Sequence, residues 1–210
     1  MTLASSGGAR RPRQRRSAIT RDRVAQVALG LFNAQGYTPV TTNAIAEACG
    51  ISTGSLYYHF RHREDVLWYL FQRVEARVRG LFIDSPFKDT GLALLRRQLV
   101  AVAEILTEYR FFFPDQTAIL RRDERVAAAF LGLQTDVVGA MRGQLAGWLR
   151  PAHQGDRLVP PDAEGLARAL WLMMTNWVTY LHSRGESVET AAVAGAVPVA
   201  LALLDPYIPL

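Results

Sequence analysis

Between Thr41 and Arg63 the chain gathers side chains that can hydrogen-bond but have no evident covalent chemistry. Thr41, Thr42 and Asn43 come first, then Ser52, Thr53, Ser55, Tyr57, Tyr58 and His59, with Gly50 and Gly54 set among them. Hydroxyls, an amide and an imidazole in close succession suit base edges and phosphate oxygens, which are recognised without any bond being made or broken. Elsewhere the types needed for catalysis do not assemble. No nucleophile–base pair, phosphate-cradling glycine loop or His/carboxylate metal cluster can be picked out, and His59, His62, His153 and His182 lack metal-ligand spacing. An enzyme is not expected, nor a metal or a cofactor. Cys49 is the one cysteine, which excludes an internal disulfide and any multi-cysteine zinc site. Its position on an apolar helix face suits a small core residue rather than a redox sensor.

The elements that must hold these side chains are short helices. Val24, Val27, Ala28, Leu31 and Phe32 recur at helical spacing from Thr20 onward, and Gly36 stands where a C-cap would be. Thr41 can cap a second helix in which Ile45, Ala46 and Cys49 share a face, and Gly50 ends it. Ser52 can cap a third, where Leu56 and Phe60 lie one turn apart and face inward. That leaves Ser52, Thr53, Gly54, Ser55, Tyr58 and His59 outward. Helix, glycine-containing turn and helix make the helix-turn-helix plan, whose second helix enters the major groove of DNA. An ordinary corner between two helices is the plain alternative. A fourth helix from His62 places Val66, Leu67, Leu70, Val74 and Val78 on one stripe, long enough to join two domains.

The stretch from Thr41 to Phe60, with the first helix before it and Arg61-His62-Arg63-Glu64-Asp65-Val66-Leu67 after it, closely resembles the TetR family of bacterial one-component regulators. The resemblance is dense over about residues 20–70. It implies that Leu56-Tyr57-Tyr58-His59-Phe60 ends the recognition helix and that Arg63, opening the fourth helix, clamps a phosphate. By the same likeness Thr41, Thr42, Tyr57 and Arg63 hold the DNA backbone, while Asn43, Thr53, Ser55, Tyr58 and His59 face base edges. Members often carry lysine where Arg63 stands, a basic or polar side chain at the Asn43 position, and a small polar cap where His62 stands. Further on, Tyr109-Arg110-Phe111-Phe112-Phe113-Pro114-Asp115 followed by Arg121-Arg122-Asp123 is similar to a subset of these regulators.

Charge is distributed to match. Residues 1–80 hold twelve Lys/Arg against five Asp/Glu, and residues 81–210 twelve against fourteen, so the net +5 splits as +7 and −2. The N-terminal third is the part suited to a polyanion. Residues 1–18, rich in Gly, Ser and Arg, bury too little to offset ordering and are expected to be a disordered tail. The tail is either a solvated terminus or an arm that follows a groove. Its five arginines within sixteen residues precede no apolar region, so it does not read as a secretory signal. The longest uncharged stretches, Ala169 to Ser183 and Thr190 to Leu204, reach about fifteen residues, short of the roughly 20 that span a bilayer. A cytoplasmic, nucleoid-associated protein without membrane contact is expected.

The remaining pattern is helical throughout, giving an all-α fold of about nine helices: a helix-turn-helix domain at 19–65 and a larger helical domain at 66–210. Leu92 to Phe113 reads as a helix stopped by Pro114, followed by a short helix at Asp115 to Arg121. Val126 through Trp148 is amphipathic, Ala152 to Pro161 reads as a loop, and Asp162 to Arg184 and Ser187 to Leu204 are the last two helices. The latter carries an expected kink at Pro198. From Leu170 to Leu181 only Thr175, Asn176 and Thr179 are polar, so that helix needs a partner on more than one face. The family resemblance implies a homodimer built by the last two helices of each chain. Phe112, Met141, Trp148, Met173 and Trp177 supply apolar wall material for a small hydrophobic effector, with Asn176 and Tyr180 to orient it. The same side chains would serve equally as core. The expectation is a repressor that leaves double-stranded operator DNA when an effector enters, or else a dimeric DNA-binding regulator whose second domain takes a protein partner.

Overall fold

The computed structural model describes residues 12–85, 87–154, 157–159 and 162–208, which divide into two compact units, Met1–Leu70 and Phe71–Leu210. The first unit contains α1 (Pro12–Gln35), α2 (Thr42–Cys49), α3 (Thr53–His59) and the start of α4 (Arg63–Phe82). Val24, Ala28, Phe32, Ile45, Leu56, Phe60, Val66 and Leu67 are all buried in its core. These are the apolar positions whose three-and-four spacing marks the helices.

The first helix begins at Pro12 rather than near Thr20, so residues 12–18 of the expected tail are helical. Proline suits a first helical position, where its missing N–H is not needed, and the arginines, Gln14 and Ala18 that follow are good helix formers. The rest of the expected tail lies outside the described residues.

The second unit holds the remainder of α4, then α5 (Gly91–Glu108), α6 (Phe112–Arg122), α7 (Glu124–Trp148), α8 (Ala163–Ser183), α9 (Thr190–Ala194), α10 (Ala196–Ala202) and a single 3₁₀ turn at Asp205–Tyr207. Three local readings of the sequence are corrected here. The α5 helix ends at Glu108, five residues before the expected stop, and Pro114 sits in the first turn of α6. A proline there removes only an N–H that has no intrahelical acceptor, so it opens a helix instead of ending one. Within the segment read as a loop, β1 (Ala152–Gln154) pairs antiparallel with β2 (Arg157–Val159), Ala152 opposite Val159. Three residues a side are too few for alternation to show. Finally, the last helix breaks at Gly195, one turn before Pro198. The proline ring would clash with the carbonyl four residues back, that of Ala194, where α9 ends. With α9 and α10 counted as one interrupted helix, the described residues hold nine.

Asp123 starts α7 by accepting hydrogen bonds from the amides of Arg125 (3.0 Å) and Val126 (3.3 Å), and Arg125 Nη2 lies 2.9 Å from its other oxygen. The α8 helix buries Ala167, Leu170, Trp171, Met174, Thr175, Val178 and Leu181 and leaves Leu172, Asn176 and Tyr180 outward.

Candidate nucleic-acid interface

The α2–turn–α3 segment is built by caps at each junction. Thr41 Oγ1 accepts from the Ala44 amide at 3.2 Å, which satisfies one of the open donors of α2. At the other end Gly50 has φ 65°, its amide bonds to Glu47 O at 2.9 Å, and the Ile51 amide reaches Ala46 O at 3.1 Å. This paired closure requires a left-handed residue, which explains the glycine. Two residues later Ser52 Oγ accepts from the Ser55 amide at 3.2 Å and lies 3.0 Å from Ser55 Oγ.

With Leu56 and Phe60 fully buried, the other face of α3 is turned to solvent: Gly54 and Ser55 are exposed, Tyr57 is 46% exposed and Tyr58 74%. Ser52 is exposed beside them, whereas Thr53 and His59 are half-buried. The His59 ring meets Tyr58 edge-on with centroids 5.1 Å apart. Burial, with Arg21 nearby, pushes the His59 imidazole below its ordinary value. It is therefore neutral at pH 7 and offers hydrogen bonds rather than charge. On α2, Thr41 and Asn43 are exposed and Thr42 is half-buried.

Arginines of this unit are engaged internally to a degree the sequence did not reveal. Arg21 lies over the rings of both Phe60 (4.9 Å) and Tyr69 (4.8 Å), while Tyr69 donates to Asp22 at 2.6 Å. Arg23 donates to Cys49 O at 3.2 Å. Arg63 is engaged as well. Its Nη1 donates to the carbonyls of Tyr37 (3.2 Å), Thr38 (2.7 Å) and Val40 (2.9 Å), and its guanidinium lies 4.5 Å from the Tyr37 ring centroid. His62, exposed, precedes α4 and lacks a capping oxygen, but its amide donates to Asp65 Oδ2 at 3.1 Å, the reciprocal half of a capping box.

Of the seven residues expected to contact an effector, four lie on α8, two on α7 and one on α6. Phe112 packs with Phe71 and Phe130 at 5.9 and 5.8 Å between centroids, and Met141 is buried. Trp177 donates its indole N–H to Ala192 O at 3.0 Å and stacks at a tilt on Tyr180, which is 49% exposed. Asn176 is exposed and donates to Leu172 O on its own helix at 2.8 Å. Met173 and Trp148 are half-buried, and the Trp148 indole N–H is buried with no hydrogen-bond partner. A groove of about 510 Å³ runs between α7 and α8, lined by Gln134, Val138 and Arg142 on one side and Arg168, Trp171 and Leu172 on the other. None of the seven lines it. Glu164, also in its wall, pairs with Arg168 at 2.8 Å. That i, i+4 spacing was visible in the sequence, but the groove required α7 and α8 to be placed side by side.

Among the described residues no group of three or more His, Cys, Asp or Glu is placed to hold a metal ion, and no helix is long and apolar enough to cross a membrane.

Comparison with known proteins fits this architecture. Residues 25–69 match the family model for bacterial regulatory proteins of the tetR family, and residues 74–209 match the TetR model of bacterial transcriptional repressors. The chain is 33% identical over 94 residues to the HTH-type transcriptional regulator AcrR of Shigella flexneri, an alignment covering 43% of this chain and 44% of that protein. It is 29% identical over 131 residues to the nucleoid occlusion factor SlmA of Haemophilus ducreyi, covering 57% and 63%. The chain thus spans less than two thirds of either curated relative. A crystal structure of a TetR-family transcriptional regulator from Marinobacter aquaeolei VT8 superposes with a TM-score of 0.77 at 29% identity, covering 90% of this chain and 91% of that one. Since the second family model alone takes in more than half of the sequence and the first covers the helix-turn-helix, the chain belongs to the TetR family of bacterial regulatory proteins.

Proposed function

We propose that the protein is a homodimeric transcriptional repressor that binds a pseudo-palindromic operator through α2 and α3 and is released from it by a small, mainly hydrophobic effector. The observation that carries the DNA-binding half is the division of α3: Leu56 and Phe60 are fully buried while Ser55, Tyr57 and Tyr58 project from the same two turns into solvent. Polar and aromatic groups held at fixed rotation by a buried pair are what groove recognition requires. In this reading Asn43, Thr53, Ser55, Tyr58 and His59 meet base edges, and Thr41, Thr42, Tyr57 and Arg63 meet the sugar–phosphate backbone. The dimer forms through α8, α9 and α10, and the protein works in the cytoplasm on the nucleoid.

Release rests on linkage. An effector weakens DNA binding only if it favours a conformation whose two reading heads no longer match successive major grooves. Helix α4 spans residues on both sides of the division between the units, which makes it the lever. A coupling of about 1–3 kcal/mol lowers operator affinity about 5- to 150-fold. The aromatic content of the second unit supports an apolar effector. The open α7–α8 groove, lined by none of the expected contact residues, favours a second reading, in which this unit takes a protein partner.

Operator binding is tested by selecting duplexes from a random pool and titrating the winner at several salt concentrations. If each chain neutralises about four phosphates, the dimer's log–log slope is near −7. A slope near zero on the selected duplex contradicts the proposal.

A further inference from the structure

Among the described residues, three buried side-chain polar atoms have no hydrogen-bond partner: Gln98 Oε1 on α5, and Gln144 Oε1 and Trp148 Nε1 on α7. We propose that they form the polar end of the effector site, and that the effector carries there an uncharged group that both donates and accepts hydrogen bonds, an alcohol or an amide. Gln98 stands outside the residues expected from the sequence to touch an effector. That an effector acts at all rests on the function proposed above; the chemistry of its polar end rests on these three atoms.

The three groups share one region of the second unit. The Trp148 ring lies against Gly91 at the start of α5, 3.9 Å from where a Cβ on that glycine would stand. From this contact both helices lead to α4: back along α7, Asp136 pairs with Arg79, and forward along α5, Gln98 Nε2 donates to Leu81 O at 2.9 Å. The α5 and α7 helices therefore run antiparallel here. Gln144 lies one turn before Trp148 and Gln98 two turns after Gly91, a span of about 10 Å along the helices. Gln98 is fully buried, and its bond to Leu81 fixes which end of the amide faces α4, so the oxygen is the atom left over. A buried acceptor without a donor is costly. The pattern is local, since the other buried polar side chains among the described residues are bonded: Asp123 accepts from the Arg125 amide, and Thr175 Oγ1 donates to Trp171 O at 2.8 Å. A carboxylate suits the trio poorly, because it has no hydrogen to give the glutamines and would leave water for stretches whose buried residues, Leu95, Met141 and Leu145, are apolar. An ammonium has nothing to accept from the indole. An alcohol or amide meets both demands, with its hydrogen on a glutamine oxygen and its own oxygen receiving the Trp148 N–H. Gln98 also gives the site its route to α4. The Leu81 carbonyl lies in the last turn of that helix, beyond reach of the helix's own amides. One planar amide thus holds the end of the lever with its nitrogen and the effector with its oxygen.

The test titrates the full-length protein by calorimetry with two probes that share an apolar body, 1-octanol and octanoate, and follows the indole N–H signals by NMR. The wild type is expected to bind 1-octanol saturably and at least about tenfold more tightly than octanoate. The indole signal that is missing from Trp148→Phe moves downfield on binding. Gln144→Met, close to its parent in length, binds 1-octanol about tenfold more weakly yet melts no lower than the wild type, because it removes an unpaired acceptor. Saturating 1-octanol lowers the affinity of the wild type for a duplex selected from a random pool by about fivefold or more. Absence of saturable 1-octanol binding, a preference for octanoate, or a Gln144→Met variant that binds 1-octanol as the wild type does overturns the proposal. So does a Gln144→Met variant that melts clearly lower, which is what ordered water on these atoms predicts, and so does binding that leaves duplex affinity unchanged. Duplex binding without 1-octanol binding sinks this inference and leaves the proposed function standing; 1-octanol binding in a protein that selects no duplex does the reverse.

Discussion

Tyr58 and Ser55 stand on the exposed face of α3, where the proposed function makes side-chain identity set the outcome. Tyr58 is the most exposed aromatic side chain of the unit and Ser55 lies one turn nearer the start of α3. Replacing either with alanine is expected to change which duplex is preferred, by about 1–3 kcal/mol at the base pair it reads, and competition between variant duplexes measures this. Equal loss on every sequence would show that neither reads bases. Cys49 makes a simpler prediction. Its thiol is buried on α2 and burial pushes it above its ordinary value, so it stays protonated at neutral pH. It should resist thiol reagents until the protein unfolds; labelling of the native protein within minutes would contradict that. At this scale the sequence revealed residue types and their spacing but not engagement. Nothing local to Arg63 tells that its Nη1 reaches the carbonyls of Tyr37, Thr38 and Val40, about 25 positions back.

Helices were legible wherever apolar spacing and a capping residue agreed. Thr41, Ser52 and Asp123 all cap through their side chains, and Gly50 closes α2 in a left-handed conformation. Misreadings cluster at prolines, because proline forbids a helical hydrogen bond behind it but is welcome in a first turn. Pro12, Pro114 and Pro198 all lie in the first turn of a helix. Two predictions belong to elements. Leu56→Ala removes a fully buried side chain on which α3 is seated and should cost about 2–5 kcal/mol, measured by chemical denaturation; a loss below 1 kcal/mol, about one buried methylene, would show that α3 is not packed as described. At the start of α7, hydrogen bonding from Arg125 and the adjacent amides holds the Asp123 carboxyl below its ordinary value despite the cost of burial. A depressed carboxyl contributes stability that is present above its unfolded pKa of about 4 and is lost as pH falls through the lower folded value. Asp123→Asn should therefore cost about 1–2 kcal/mol at pH 7, and the difference from wild type should shrink steadily below about pH 4. A difference that grew on acidification would reverse the sign.

Across the whole chain, the all-α class and the +7/−2 division of charge were readable from composition and periodicity alone. A pocket in the second unit was not, since the aromatic residues that could wall one are the same types that fill a core. Phe112 and Met141 are buried, Trp177 is tied to Ala192, and the open groove lies between α7 and α8. The central claim is that α3 lies in the major groove and is presented twice by a symmetric dimer. It is tested most directly by methylation interference at guanine N7 on a duplex selected by the protein, because that atom faces the major groove. The account predicts two clusters of interference related by two-fold symmetry and separated by about one helical turn or a multiple of it. Binding that is indifferent to methylation at every guanine, or that shows a single cluster with no symmetric mate, would contradict it.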